Sequence, residues 1–256
     1  MIHQSKSYLK FLRTSRNQHG VHSPFVYQLV TQCFYKRQQH TAYEIIKSYK
    51  KRIRKNKATI SVSDLGSGSR IFKSSERKVS KIGKFAGTKL KRAKLLNRIV
   101  RYLNILKALE LGTSVGLGSV AIAAGNENTS VLTIEGCPET AKLAKDNFNS
   151  FNFENIEIIN GDFDSVLPNL QSTFDLVFID GNHTKNATLR YFEALLQLSH
   201  NDTVFIFDDI YLNKDMTKAW ELIKNHESVT VTIDTFKWGF VFLRKEQAKE
   251  HFVIRV

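Results

Sequence analysis

The chain has 256 residues, 42% hydrophobic and 24% charged, with a net charge of +14, a composition that fits one large or two small globular domains. Three prolines and thirteen glycines leave little room for a long linker. No apolar run approaches the ~20 residues needed to cross a bilayer, and the opening MIHQSKSYLKFLRTSRNQHG has no signal-peptide core. Cys33 and Cys137 form neither a disulfide framework nor a metal spacing, so the expectation is a reduced, cytoplasmic protein.

In chain order, residues 1–57 read as helices interrupted at HGVHSPF (His19 to Phe25), because Pro24 restricts Ser23 to extended geometry. Ser23 then suits an N-cap with Pro24 at the first helical position. The same stretch is a candidate lid, with His19 and His22 facing a substrate. From Phe25 to Ile46 apolar residues recur at helical spacing, and KSYKKRIRKNK follows as a basic helix end. SVSDLGSGSR (Ser61 to Arg70) reads as a loop in which Ser67 or Arg70 borders a site. Lys73 to Phe85 reads as a charged helix, and Leu90 to Leu106 as an amphipathic one.

From Lys107 short apolar runs alternate with helical stretches. Strands are expected at Ala108–Leu111, Ser130–Ile134, Ile156–Ile159, Leu176–Ile179 and Val204–Phe207. Helices are expected at Gly118–Ala124, Glu139–Phe148, Asp164–Leu170, Leu189–Leu198 and Trp220–Asn225. This alternation argues for an α/β fold with a parallel sheet. Val229–Asp234 and Lys237–Leu243, separated by Thr235 and Phe236, suggest a closing hairpin and an antiparallel strand.

In such sheets ligands bind beyond the carboxyl ends of the strands, and polar residues stand there. The first strand ends in ELGTSVG (Glu110 to Gly116), the second at Glu135 and Gly136, and the third at Gly161, Asp162 and Phe163. The fourth ends at Asp180 and the fifth at Asp208 and Asp209. Gly112 and Gly116 permit a tight turn and close backbone approach. Glu135 suits a ribose diol, Asp162 an adenine amino group, and Phe163 the ring beside it. The turn is not G-x-G-x-x-G, and Glu110 before it suits an ammonium better than a pyrophosphate.

ELGTSVGLGSVAIA, TIEGCPETAKLAKDNF, INGDF, FDLVFIDGNHT and VFIFDDIY, in that order, resemble the motif series of class I S-adenosylmethionine (SAM)-dependent methyltransferases. Within that superfamily they are similar to small-molecule O-methyltransferases of the catechol, caffeoyl-CoA and macrolide-sugar types. The resemblance implies a Rossmann-like seven-stranded sheet, mostly parallel with an antiparallel last strand. It implies SAM contacts at Glu110, Gly112, Thr113, Ser114, Gly116, Glu135, Asp162 and Asp180, with Gly136, Gly161 and Phe163 alongside. It also implies Mg²⁺ at Asp180, Asp208 and Asp209; the alternative for this trio is helix capping and SAM contact without metal. A catalytic base is expected at His183 or Lys185, and a one-residue shift in alignment decides between them. The expected division is a basic, mainly helical N-terminal extension or lid over 1–87, then a SAM-binding domain over 88–256.

The charge is uneven. Residues 1–107 carry 26 Lys+Arg against 3 Asp+Glu, and residues 108–256 carry 12 against 21. A basic segment concentrates anions such as nucleic acid, acidic headgroups or phosphorylated substrates; it also suits a solvated face, or one that docks on the acidic half of a second copy in a homodimer. The leading expectation is O-methylation of a small hydroxylated molecule. A nucleic-acid-associated methyltransferase comes second, opposed by the few aromatics in the basic tract and by IDGN in place of an N-P-P-Y-like tetrapeptide. A non-catalytic SAM-binding interaction protein comes third.

Overall fold

The computed structural model describes residues 2–36, 38–63, 74–85 and 87–256. The DLGSGS segment, with Ser67 and Arg70, lies outside them. The chain divides into two compact units, residues 1–36 with 170–256, and residues 37–169.

The first unit opens with α1 (Ile2–Thr14) and α2 (Pro24–Leu29), the latter running into a π-turn at Val30–Phe34. Ser23 caps α2, its hydroxyl accepting from Val26 N–H at 3.4 Å, with Pro24 in the first turn. Proline fits there because its missing N–H would have had no helical partner.

The second unit holds α3 (Ala42–Lys55), β1 (Thr59–Ser61), β2 (Glu76–Lys78), α4 (Val79–Phe85) and α5 (Leu90–Tyr102). These precede β3 (Lys107–Leu111), α6 (Leu117–Ala123), β4 (Ser130–Glu135), α7 (Pro138–Ser150), β5 (Ile156–Asn160) and α8 (Phe163–Val166). β4 lies between β3 and β5, and both pairings are parallel. Two expectations need correcting. Within Lys73–Phe85 only Val79–Phe85 is helical, while Glu76–Lys78 pairs antiparallel with Thr59–Ser61; Glu-Arg-Lys offers no apolar stripe to hold a helix against a core. The helix from Leu90 ends at Tyr102 rather than Leu106, with Asn104 in the left-handed region at φ 51°.

The rest of the first unit is β6 (Leu176–Ile179), α9 (Lys185–Leu196), β7 (Val204–Asp208), α10 (Lys214–Asn225), β8 (Val231–Asp234), β9 (Trp238–Phe242) and β10 (Glu250–Val253). Its strands lie in the order β10-β8-β9-β7-β6. β9 runs antiparallel to both β7 and β8, while β6–β7 and β8–β10 are parallel. The expected hairpin is therefore present, with Lys237 added to its turn. β10 is a strand beyond the expected set. Its far side is covered by the N-terminal segment, where Arg16 N–H donates to Val253 O at 2.8 Å and Arg255 N–H to Arg16 O at 3.1 Å, which protects an edge that would otherwise be open. Trp220 and Trp238 are fully buried, and a methyl group at Gly239 would lie 2.6 Å from the Trp220 ring.

The turn after β3 depends on one glycine. Gly116 has φ 80°, a conformation disfavoured by any Cβ. A Cβ there would also meet Phe148 Cε1 at 2.4 Å and Tyr49 Oη at 2.6 Å. Gly116→Ala is therefore expected to cost about 2–4 kcal/mol, combining left-handed strain with overpacking. Urea unfolding monitored by circular dichroism measures this, and an unshifted midpoint would show that the turn relaxes freely.

Candidate active site

In the second unit, the parallel register places Glu110 opposite Thr133 and Glu135 opposite Asn160. The turn after β3 climbs over the end of β4. Gly112 N–H donates to Ile134 O at 3.0 Å, and Gly116 N–H to Thr113 O at 2.8 Å. Three of its residues have positive φ: Gly112 at 99°, Ser114 at 50° and Gly116 at 80°. The side chain of Thr113 is buried and shares a 2.7 Å hydrogen bond with the Thr133 hydroxyl.

The turn and Glu135 hold each other. Ser114 N–H donates to Glu135 Oε2 at 2.8 Å, and Cys137 N–H to Oε1 at 3.0 Å. Asn160 Nδ2 donates to the carbonyls of Glu135 and Gly136, at 2.7 and 3.2 Å, which ties the end of β5 to the same place. Gly161 N–H also donates to Glu135 O, at 3.1 Å, and a Cβ at Gly161 would meet Val166 Cγ2 at 2.7 Å. Asp162 is exposed and precedes α8 without a side-chain capping bond, while Phe163 is buried. A carboxylate of fixed orientation at Glu135, an exposed one at Asp162 and a turn of positive φ are groups that suit an amino-acid nucleoside, so the residues present fit SAM.

Glu110 is enclosed by its neighbours. It is only 1% exposed, and its Oε2 accepts from the hydroxyls of Ser119 and Thr133, the latter at 2.8 Å. Burial raises its carboxyl from the ordinary 4.5 to about 7, while the two hydroxyl bonds oppose the rise.

The remaining expected residues lie in the first unit. Asp180 follows β6, and its Oδ1 is 3.7 Å from His183 Nε2. Asn182 (φ 62°) and His183 (φ 39°) form a left-handed step, and Asn182 Nδ2 donates to the Tyr191 hydroxyl at 2.9 Å. Lys185 begins α9. Asp208 is buried at the end of β7. Asp209, at φ 52°, accepts from Lys237 Nζ at 3.0 Å. Among the described residues no three His, Cys, Asp or Glu side chains come together to hold a metal ion. Of the expected ligand trio Asp180, Asp208 and Asp209, the charge on Asp209 is met by Lys237.

Sequence reasoning missed the group around the β8–β9 turn. The Tyr211 hydroxyl donates to Asp234, whose carboxyl burial keeps above the usual range while the hydrogen bonds from Tyr211 and Phe236 N–H oppose the rise. The Phe236 ring lies 4.8 Å from Tyr8, 5.5 Å from Phe11 and 5.4 Å from Tyr211. Phe236 has φ 69°, which is unusual for a bulky residue and is sustained only where surroundings over-determine it. No local pattern in Thr235-Phe236 announces this, although a bulky residue in a tight hairpin was a cue.

Comparison with known proteins places this geometry. Residues 109–210 match the family model described as a methyltransferase domain. An O-methyltransferase of Aspergillus flavus is 30% identical over 112 residues, 40% of this chain and 44% of that protein. A probable cobalt-precorrin-6B C(15)-methyltransferase of Sulfolobus acidocaldarius is 35% identical over 78 residues, 29% of this chain and 40% of that one. The matches thus span less than half of either relative. Among solved structures, an S-adenosylhomocysteine (SAH)-bound methyltransferase of Podospora anserina superposes with a TM-score of 0.61 at 14% identity, covering 88% of this chain and 97% of that one. An O-methyltransferase of Bacillus cereus in complex with SAH gives 0.53 at 20%, covering 81% and 92%. The fold is the α/β Rossmann-like methyltransferase fold, and residues 109–210 are the part that matches a methyltransferase-domain model.

The Glu110 carboxyl provides a pH test. Its raised value means that the folded protein retains a proton that the unfolded chain loses, so stability falls as pH rises from about 4.5 through 7. Glu110→Gln removes this dependence and should gain on the wild type by about 3 kcal/mol above pH 7, at most. Urea midpoints of both proteins at pH 5 and pH 8 measure it; parallel behaviour would mean that Glu110 titrates normally.

Proposed function

We propose that the chain is a SAM-dependent methyltransferase that methylates a hydroxyl of a small acceptor. The carrying observation is Glu135, held between Ser114 N–H and Cys137 N–H at the end of β4, beside a turn of positive-φ residues inside the segment matched by the methyltransferase-domain model. The relatives and structural neighbours named as O-methyltransferases support the acceptor chemistry.

SAM supplies an electrophilic methyl group on a sulfonium. Glu135 accepts from the ribose hydroxyls and Asp162 from the adenine amino group. The glycine turn brings backbone close to the ligand while Glu110 braces it from beneath. In transfer the acceptor oxygen forms a bond to the methyl carbon as the carbon–sulfur bond breaks, and the hydroxyl proton passes to a base. His183, whose Nε2 lies 3.7 Å from Asp180 Oδ1, is taken as the base. Lys185 is the alternative. No step is assigned to a metal.

Calorimetric titration with SAH is expected to show micromolar binding, unchanged by replacing Mg²⁺ with EDTA. Glu135→Ala should weaken it by about 1.5–3 kcal/mol, the scale of a hydrogen bond to a charged group; equal affinity would remove Glu135 from the site. Over a panel of hydroxylated acceptors, His183→Ala should lower kcat by about 10²–10⁴-fold. If Lys185→Met does this instead, the base is Lys185. SAH binding without turnover on any acceptor would make the chain a SAM-binding interaction protein.

A further inference from the structure

The proposed chemistry leaves the densest charge in the molecule unused. Residues 37–107 contain 21 Lys+Arg and only three acids, Glu44, Asp64 and Glu76. Of these, Glu44 pairs with Lys47 at 2.6 Å on α3 itself. The structure gathers the cations at one end of a helical cluster within the second unit. α3 packs against both α4 and α5. α4 starts beside the end of α3, with Val79 N–H donating to Ala58 O at 2.9 Å and Ser80 N–H to Asn56 O at 3.0 Å. Gly83 lets the helices close up, since a Cβ there would lie 2.4 Å from Ile53 Cγ2. Lys50 and Arg54 of α3 thereby share a neighbourhood with Lys89 and Arg92 at the start of α5. The Lys50 ammonium is held below its ordinary value by partial burial and then by the charges of Arg54, Lys89 and Arg92. Concentrating like charges in this way costs free energy that a bound polyanion would recover.

We propose that this face, the end of α3 with α4 and the start of α5, docks the phosphate backbone of a single-stranded nucleic acid. Two observations favour that partner over an acidic bilayer. The apolar stripes that would enter a membrane are already used inside the unit: Ile46, Tyr49 and Ile53 of α3, and Leu96, Ile99 and Val100 of α5, are buried. The face does present an aromatic ring, Phe85, which is 47% exposed with Lys84 Nζ 4.9 Å from its centroid. Cations around an exposed ring suit backbone tracking with a stacked base. Docking here goes beyond the methyl-transfer assignment and does not depend on it.

The test is fluorescence anisotropy with a labelled 20-nucleotide oligouridylate, alongside sedimentation with phosphatidylserine vesicles, comparing the wild type with a Lys50→Glu/Arg54→Glu/Lys89→Glu variant. If about four phosphates are neutralised, affinity should fall about 50-fold between 50 and 200 mM KCl. The charge-reversed variant should bind at least tenfold more weakly, and Phe85→Ala should lose affinity without changing the salt slope. SAH affinity and the thermal midpoint report that the variants fold, so docking and methyl transfer can fail separately. Absence of salt-sensitive RNA binding, equal binding by the charge-reversed variant, or capture by vesicles but not by RNA would overturn the proposal. So would a wild-type dimer that the reversal dissociates while RNA remains unbound.

Discussion

In the methyltransferase-domain segment much depends on the buried carboxyl of Glu110. It sits at the end of β3 with hydroxyls from Ser119 on α6 and Thr133 on β4 directed at it, and Thr133 passes the connection to Thr113 in the turn. One side chain thus links two strands, the following helix and the glycine turn. An unpaired carboxylate in that position would be costly; two hydroxyl donors and partial neutralisation by its raised pKa make it tolerable. What results is rigidity where a ligand needs it: Ser114 N–H is fixed, and through it the orientation of Glu135.

The first unit solves a related problem with strain. Asn182, His183, Asp209 and Phe236 all have positive φ, and the first three follow directly on β6 and β7. Such conformations cost of order 1–3 kcal/mol each and persist where surroundings hold them. Asn182 is anchored to Tyr191, Asp209 to Lys237, and Phe236 by three aromatic neighbours and an N–H bond to Asp234 at 2.7 Å. α1 contributes Tyr8 and Phe11 to that aromatic group, so the first helix is integral to its unit rather than appended to it.

Charge is divided by task. Acids stand at the carboxyl ends of strands, where a cationic sulfonium ligand would be handled, and cations crowd the helices of residues 37–107.

Periodicity and turn chemistry made most of the α/β region legible. The strands from Ala108 to Phe207 lie within a residue of where apolar runs predict them, because a strand buried on both faces must be continuously apolar. The acids at strand ends were legible for the same reason, since a polar residue marks where burial stops. Ser23 and Pro24 announced α2 through local capping alone. What the sequence did not reveal was how those acids are used. Glu110 and Glu135 look alike at the ends of neighbouring strands, yet one is buried under two hydroxyls and the other is clamped by two backbone N–H groups. Asp180, Asp208 and Asp209 fit a metal by type, yet Asp209 is paired with Lys237. The strand β10, the Asp209–Lys237 pair and the ring cluster on Phe236 were equally hidden. Local patterning determines where a chain turns from buried to exposed, whereas partner choice among polar side chains depends on contacts between residues far apart in sequence, and only the folded structure decides those.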